Sequence, residues 1–143
     1  MTLEQQVCSL ELAKRLKELG VKQESLFLWC NFGKDDWRGP YSNIDGISIR
    51  FPATPGPYSF TKDDCWEWCS AFTASELGEM LPKEWATKRG TKSGRKTELW
   101  QAWRRRGGVG GWKMLKEIGE SDNEADHRAK LLIHLLENKL ITL

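Results

Sequence analysis

The C-terminal segment, residues 121–143, constrains the fold most strongly because its apolar residues recur with the period of an α-helix. One face of a helical wheel collects the side chains of Ala125, Ala129, Leu132, Ile133, Leu136 and Leu140. Leu131 and Leu135 form a second apolar edge, so this helix is predicted to be covered on more than one side. Ser121 and Glu124 have the spacing of a capping box, which predicts that the helix begins there. We therefore expect this helix to lie at the centre of a small core.

The remaining pattern predicts further helices and several short strands. A helix begins near Ser9 and ends at Gly20, which has the position of a left-handed C-cap. A second, short helix is predicted over 24–30, completing an N-terminal helical hairpin. A helix-turn-helix function for this hairpin is disfavoured, because its second helix has no Arg or Lys to read base edges. Further elements are expected as strands at 47–51 and 58–60, a capped helix from Thr73 to Pro82, and a hairpin with strands at 99–104 and 112–118.

These elements predict one α+β domain, 1–143, in which the helical hairpin and the long C-terminal helix pack on a small antiparallel sheet. Trp100 and Ala102 are expected to share one hairpin face with Trp112, Met114 and Ile118. The predicted core consists of Leu12, Leu16, Leu19, Leu26, Trp29, Leu77, Leu81, Trp100, Trp112, Leu132, Ile133, Leu136 and Leu140.

Charge is strongly segregated along the chain. Residues 83–116 contain eleven Lys or Arg and only two acids, a net charge of +9, whereas the whole chain carries +2, so the rest carries −7. This asymmetry favours a charged partner. Four of the eight tryptophans lie among these cations, and such a mixture suits nucleic acid, because cations neutralise phosphates and an exposed indole stacks on a base.

The basic, Trp-rich hairpin is therefore the predicted binding site, for nucleic acid first and for a host or phage protein otherwise. Residues 83–97 have no apolar periodicity and are predicted to form an exposed, mobile loop. The predicted contact residues are Lys88, Arg89, Lys92, Arg95, Lys96, Trp103, Arg104, Arg105 and Arg106. The alternative is a purely structural role, in which Trp100 and Trp112 belong to the core and the charged loop is only solvated.

Three blocks of the sequence resemble a family of small, uncharacterised phage and prophage proteins. The blocks are LELAKRLKELGVKQESLFLW, SAFTASELGEMLP and EADHRAKLLIHLLENKLI, at 10–29, 70–82 and 124–141. The resemblance implies a virus-encoded accessory protein that acts inside a bacterial host, and it brings no catalytic residues. The middle segment, 83–116, is longer and more charged than the plain hairpin of that family.

No local motif supports catalysis or a cofactor, so the sequence predicts a non-enzymatic protein. Cys65 and Cys69 have a spacing that two zinc ligands can adopt, but no second paired motif supplies the other two ligands. Glu124 and His127 match one half of a di-iron motif, and His127 is expected to lie away from the main apolar face. The glycine-rich turn 107–111 lacks the Lys and Ser or Thr of a phosphate loop. A small metal-dependent enzyme is the most distant hypothesis.

The predicted compartment is the cytoplasm of the bacterial host. The N-terminal stretch is polar and amphipathic, with no secretory pattern, and no segment reaches the roughly 20 apolar residues of a membrane span. The four cysteines are accordingly expected to be reduced thiols, and no membrane partner is expected. A protein-binding inhibitor of a host factor, such as an anti-phage defence system, is the alternative to nucleic-acid binding. The oligomeric state is left open.

Overall fold

The computed structural model describes residues 3–44, 47–49, 59–92, 95–105 and 112–142. Within these ranges the helices are α1 (Leu3–Gln6), α2 (Leu10–Glu18), α3 (Ala74–Met80) and α4 (Glu124–Glu137), with one 3-10 turn at Lys62–Asp64. The strands are β1 (Phe27–Asn31), β2 (Trp37–Ile44), β3 (Ile47–Ile49), β4 (Ser59–Thr61), β5 (Glu67–Ser70), β6 (Trp85–Lys92), β7 (Arg95–Arg105) and β8 (Trp112–Leu115).

The strands form two antiparallel sheets. The first has five strands in the order β4-β3-β2-β1-β5, and the second has three strands in the order β6-β7-β8. The helices are combined with two antiparallel sheets, which confirms the predicted α+β class. None of the helices in the described ranges is long and apolar enough to cross a membrane.

The main core lies where α2, α3 and α4 meet. Phe72 is the largest fully buried side chain among the described residues, and it packs in one cluster with Leu16, Leu77 and Leu132. A separate cluster joins the second sheet to α4: Trp85 and Ala102 are buried against Leu131 and Leu135. Both apolar edges predicted for the C-terminal helix are therefore covered, each by a different cluster.

The predicted ends of α2 and α3 are confirmed in detail. Gly20 has a φ of +87° and donates to Lys17 O at 3.0 Å, and Val21 donates to Leu16 O at 3.1 Å. This pair of bonds is a Schellman motif, which satisfies carbonyls that the helix leaves without partners. At α3, Thr73 N donates to the Glu76 carboxylate at 2.8 Å and Thr73 Oγ1 accepts from Glu76 N at 3.2 Å, which is the predicted capping box.

The predicted cap of α4 is wrong. Asn123, not Ser121, is the N-cap residue, and its side-chain oxygen accepts from Ala125 N at 2.8 Å and Asp126 N at 3.3 Å. Ser121 cannot serve as the cap because its backbone forms a bridge with Trp100 of β7. This bridge leads the chain from the second sheet into the helix.

The second helix of the predicted N-terminal hairpin is also wrong, because the segment forms strand β1. Leu28 and Cys30 are buried on one face, and β1 pairs with β2 on one side and with β5 on the other. A short apolar run between two strands gains more from two ladders of hydrogen bonds than from one or two helical turns. Because the second helix is absent from this described segment, the helix-turn-helix interpretation is also wrong.

The second sheet is longer than the sequence predicts. The predicted mobile loop 83–97 is wrong for residues 85–92 and 95–97, which belong to β6 and β7. The predicted pairing of β7 with a strand starting at 112 is confirmed, but the predicted face is not. Ala102 pairs with Leu115, Trp103 pairs with Met114, and Arg105 pairs with Trp112. The positions of Met114 and Trp112 therefore share a face with Trp103 and Arg105, and not with Ala102 as predicted.

Most predicted core residues are buried or packed against the core, but two are exposed. Leu26 is 64% exposed and Leu140 is 56% exposed. Leu140 lies beyond the end of α4, so the helical wheel no longer applies to it, and Leu26 precedes β1. Trp100 is half-buried, and the side chain of Trp112 lies outside the described part of the structure.

The outer edge of the five-stranded sheet at β5 is blocked by side chains. Lys17 Nζ donates to Trp68 O, and Ser70 N donates to Gln23 Oε1 at 2.8 Å. In the pairing of β5 with β1, the backbone N–H and C=O groups of Trp68 and Ser70 point away from β1, toward the outer edge. An edge occupied in this way cannot add a further strand at those positions.

Candidate nucleic-acid interface

One face of the second sheet packs against α4, and the opposite face does not. Side chains alternate between the faces, so Trp85, Thr87, Ala102 and Arg104 share the face that packs against α4. Thr87 Oγ1 accepts from Arg128 Nε of α4 at 3.0 Å, which confirms the orientation of that face. The positions between them belong to the opposite face, here called the open face.

The open face carries Lys88, Trp103 and Arg105. Ala86 pairs with Trp103 and Lys88 pairs with Gln101, so Lys88 is the diagonal neighbour of Trp103. Lys88 Nζ lies 5.8 Å from the centroid of the Trp103 ring, within cation–π distance. Arg105 is two residues beyond Trp103 on the same strand and is exposed. The open face therefore combines a half-buried indole with two exposed cations.

Two acids lie at the open face: Glu120, and Glu84, whose carbonyl oxygen accepts from Arg105 N at 2.6 Å. Gln101 Nε2 donates to Glu120 Oε1 at 3.1 Å, and Gln101 is itself buried. The Glu120 carboxylate thus accepts a hydrogen bond from a neutral partner, Gln101. Arg105 lies four residues further along β7, at the end of the strand.

Some predicted contact residues that are neighbours in the sequence lie on different faces of the second sheet. Arg104 lies on the covered side, with its guanidinium 5.7 Å from the Trp85 ring, while its neighbour Arg105 lies on the open face. Arg89 pairs with Trp100, Lys92 with Arg95, and Lys96 with Thr91, all within the hairpin of β6 and β7. Arg106 and the glycine-rich turn lie outside the described residues. The core of the candidate interface is therefore Lys88, Trp103 and Arg105.

His127 lies away from the main apolar face of α4, in line with Leu131 and Leu135, yet its side chain is fully buried. His127 Nδ1 lies 3.3 Å from Ser121 Oγ, which also accepts from Lys130 Nζ at 3.0 Å. Burial, followed by the charge of Lys130, lowers the pKa of His127 to about 4, while Glu120 acts weakly in the other direction. His127 is therefore a neutral core residue at pH 7.

Lowering the pH from about 6.5 to about 4 is expected to destabilise the fold through His127. In this window the unfolded chain binds a proton that the folded chain does not, so the free energy of unfolding falls as the pH falls. The expected loss is about 3 kcal/mol and is complete below the folded pKa of about 4. Urea unfolding across this window should therefore show a steeper pH dependence for the natural protein than for His127→Gln. The same pH dependence in both proteins would contradict this assignment.

The two cysteines with zinc-ligand spacing lie in different clusters. Cys69 is buried in the main core, whereas Cys65 packs against Cys30 in a small cluster with Leu28 and Tyr41. Burial raises the pKa of Cys69 to about 11 and also raises the pKa of Cys65. Within the described residues, no three His, Cys, Asp or Glu side chains are grouped as metal ligands would be.

One exposed residue that the sequence analysis did not select stands out. Trp66, in the run Cys65-Trp-Glu-Trp-Cys69, is 82% exposed. The available signal was the alternation of Trp66 and Trp68 about Glu67, which places both indoles on the same side of an extended segment.

Comparison of the chain with protein-family models, with curated proteins and with solved structures finds no match. The likeness to phage and prophage proteins therefore stays a prediction from the three sequence blocks. The functional argument rests on the residues of the candidate interface.

Proposed function

We propose that this protein binds single-stranded nucleic acid through the open face of its second sheet, without catalysing a reaction on it. The observation that supports this most directly is the placement of Lys88 and Trp103 side by side on the face that α4 does not cover. In the setting that the phage resemblance implies, the protein would be an accessory factor in the cytoplasm of a bacterial host.

The chemistry of the open face suits an unpaired strand better than a duplex. An indole can stack on any unpaired base, whereas the bases of a duplex already stack on one another. Lys88 and Arg105 flank Trp103 on the sheet surface, where they can neutralise phosphates on both sides of a stacked base. The predicted binding is therefore tolerant of sequence and sensitive to salt.

The charge around the open face supports the same proposal. The sheet lies within the segment 83–116, whose net charge is +9. Such a concentration of cations raises the local concentration of an anionic polymer and speeds its association. A host protein with an acidic surface, the alternative partner, would use these cations but would not need a base-sized stacking surface.

The test of this proposal is the substitution Trp103→Ala compared with Trp103→Phe. Fluorescence anisotropy of a labelled single strand of about 20 nucleotides measures the affinity of each variant. Trp103→Ala is expected to lose about 1–3 kcal/mol of binding free energy, and Trp103→Phe is expected to retain most of it because a phenyl ring still stacks. Equal affinity of the natural protein and Trp103→Ala would argue against base stacking on this face.

A further inference from the structure

The five-stranded sheet carries a second exposed aromatic surface, which is distinct from the open face. Trp66 immediately precedes β5, and its backbone N–H donates to Asn31 O at 2.8 Å. This bond fixes the backbone at Trp66 beside the end of β1 while leaving the side chain 82% exposed. A large apolar ring that is left in water on a fixed stretch of backbone, beside other exposed aromatic residues, is the arrangement expected of a contact surface.

Other aromatic rings with cations over them lie near Trp66 along the chain or across the sheet. Phe32 follows β1 directly, is 37% exposed, and stands edge-on to Tyr41 with 6.2 Å between ring centroids. Lys62 Nζ lies 4.2 Å from the centroid of the Trp68 ring. The Arg38 guanidinium lies 5.9 Å from the Phe32 ring centroid. We call Phe32, Arg38, Lys62, Trp66 and Trp68 the aromatic rim.

Three acids near the aromatic rim, Asp36, Asp64 and Glu67, are engaged or face elsewhere. Asp36 pairs with Arg38 at 3.1 Å, and the Asp64 carboxylate accepts from Thr61 N at 2.8 Å. Glu67 alternates with Trp66 and Trp68 and lines a cavity with Lys14 and Trp37 on the α2 side of the sheet. None of these three carboxylates is therefore both uncommitted and on the Trp66 side of the sheet.

We propose that Trp66 is a second stacking platform for an unpaired base, so that a single strand contacts the aromatic rim as well as the open face. This inference rests on the proposed function and deepens it, because it assigns the ligand class to unpaired nucleic acid. An exposed indole beside a lysine that already lies over a neighbouring ring gives base stacking and phosphate contact at one place. Arg38 of the rim is already paired with Asp36, so the contribution of the rim comes mainly from stacking and depends little on salt.

The test compares Trp66→Ala, Trp66→Phe and the matched control Leu26→Ala, whose side chain is also exposed and apolar, at 64%. A labelled oligothymidine of about 20 nucleotides and a duplex of equal length are the probes. Trp66→Ala is expected to weaken single-strand binding by about five- to 100-fold with an unchanged salt slope. Trp66→Phe should retain most of the affinity, and neither Leu26→Ala nor the duplex should show this loss.

The outcomes separate this inference from the proposed function. If the natural protein binds the single strand and Trp66→Ala binds it equally well, the second platform is overturned while the open face stands. If the natural protein binds neither probe, both proposals are overturned. A loss of affinity in Trp66→Ala with the same thermal unfolding midpoint as the natural protein supports the platform, because it rules out loss of fold as the cause.

Discussion

Reversing the charges of Lys88 and Arg105 together, as Lys88→Glu with Arg105→Glu, is expected to weaken single-strand binding by roughly 100-fold at about 0.1 M salt. Both side chains lie on the open face and flank Trp103. Each substitution removes a phosphate contact and adds a repulsive charge at the same place, so the two losses reinforce one another. The log–log dependence of affinity on salt should also become shallower by about 1.4, since each contact with a single strand contributes about 0.7.

The matched control reverses Lys22 and Lys139, which changes the net charge by the same amount. Both are exposed and lie outside the segment 83–116. The control is expected to weaken binding only slightly, because neither lysine belongs to the second sheet and neither can contact a strand bound to its open face. An equal loss in both double variants would mean that net charge, and not the open face, carries the binding.

Replacing Arg128 by Ala is expected to lower the free energy of unfolding by about 2–4 kcal/mol. The guanidinium donates to Thr87 Oγ1 at 3.0 Å and to Ala74 O at 2.6 Å, and it pairs with Glu124 at 2.8 Å. It thus ties α4 to β6 and to α3 at a half-buried position. Its path crosses Gly78, where a Cβ would lie 2.5 Å from Nη1, so the glycine leaves the room that these bonds need.

The control for Arg128 is Arg15→Ala, measured by urea unfolding at pH 7. Arg15 also pairs with two acids, Glu18 at 3.1 Å and Glu137 at 2.9 Å, but these pairs are exposed. Exposed ion pairs contribute about 0–1 kcal/mol, so the expected loss is small. A loss below about 1 kcal/mol for Arg128→Ala as well would contradict the structural role assigned to Arg128.

The elements that the sequence predicts correctly are those with local causes. Gly20 must supply a left-handed residue after α2, and Thr73 with Glu76 satisfies the first amides of α3, whatever surrounds them. The apolar period of α4 extends over about four helical turns, and it predicts a helix whichever elements pack against it.

The misassigned elements depend on partners far away in the chain. The run 27–31 is a strand because β2 and β5 flank it, and its own residues fit a short helix nearly as well. Residues 85–92 lack apolar alternation because one of their faces is open, so the sequence resembles a loop. His127 lies one helical turn before Leu131 and two before Leu135, so the apolar edge formed by these leucines was an available signal for its burial.

The candidate interface could be predicted as a segment but not as a surface. The charge count and the interleaved tryptophans identify residues 83–116 without any structure. Which of them act together depends on register, since one residue separates Arg104 beside Trp85 from Arg105 on the open face. The exposure of Trp66 depends on how β5 pairs with β1, and no local pattern supplies that pairing.

The most direct test of the central claim is the affinity of the natural protein for a single strand of about 20 nucleotides, measured across a salt series from about 0.05 to 0.2 M. The account predicts micromolar or tighter binding at low salt, a steep negative log–log slope, and tighter binding of the single strand than of a duplex of equal length. No binding at the lowest salt, or an affinity that does not change with salt, would contradict it.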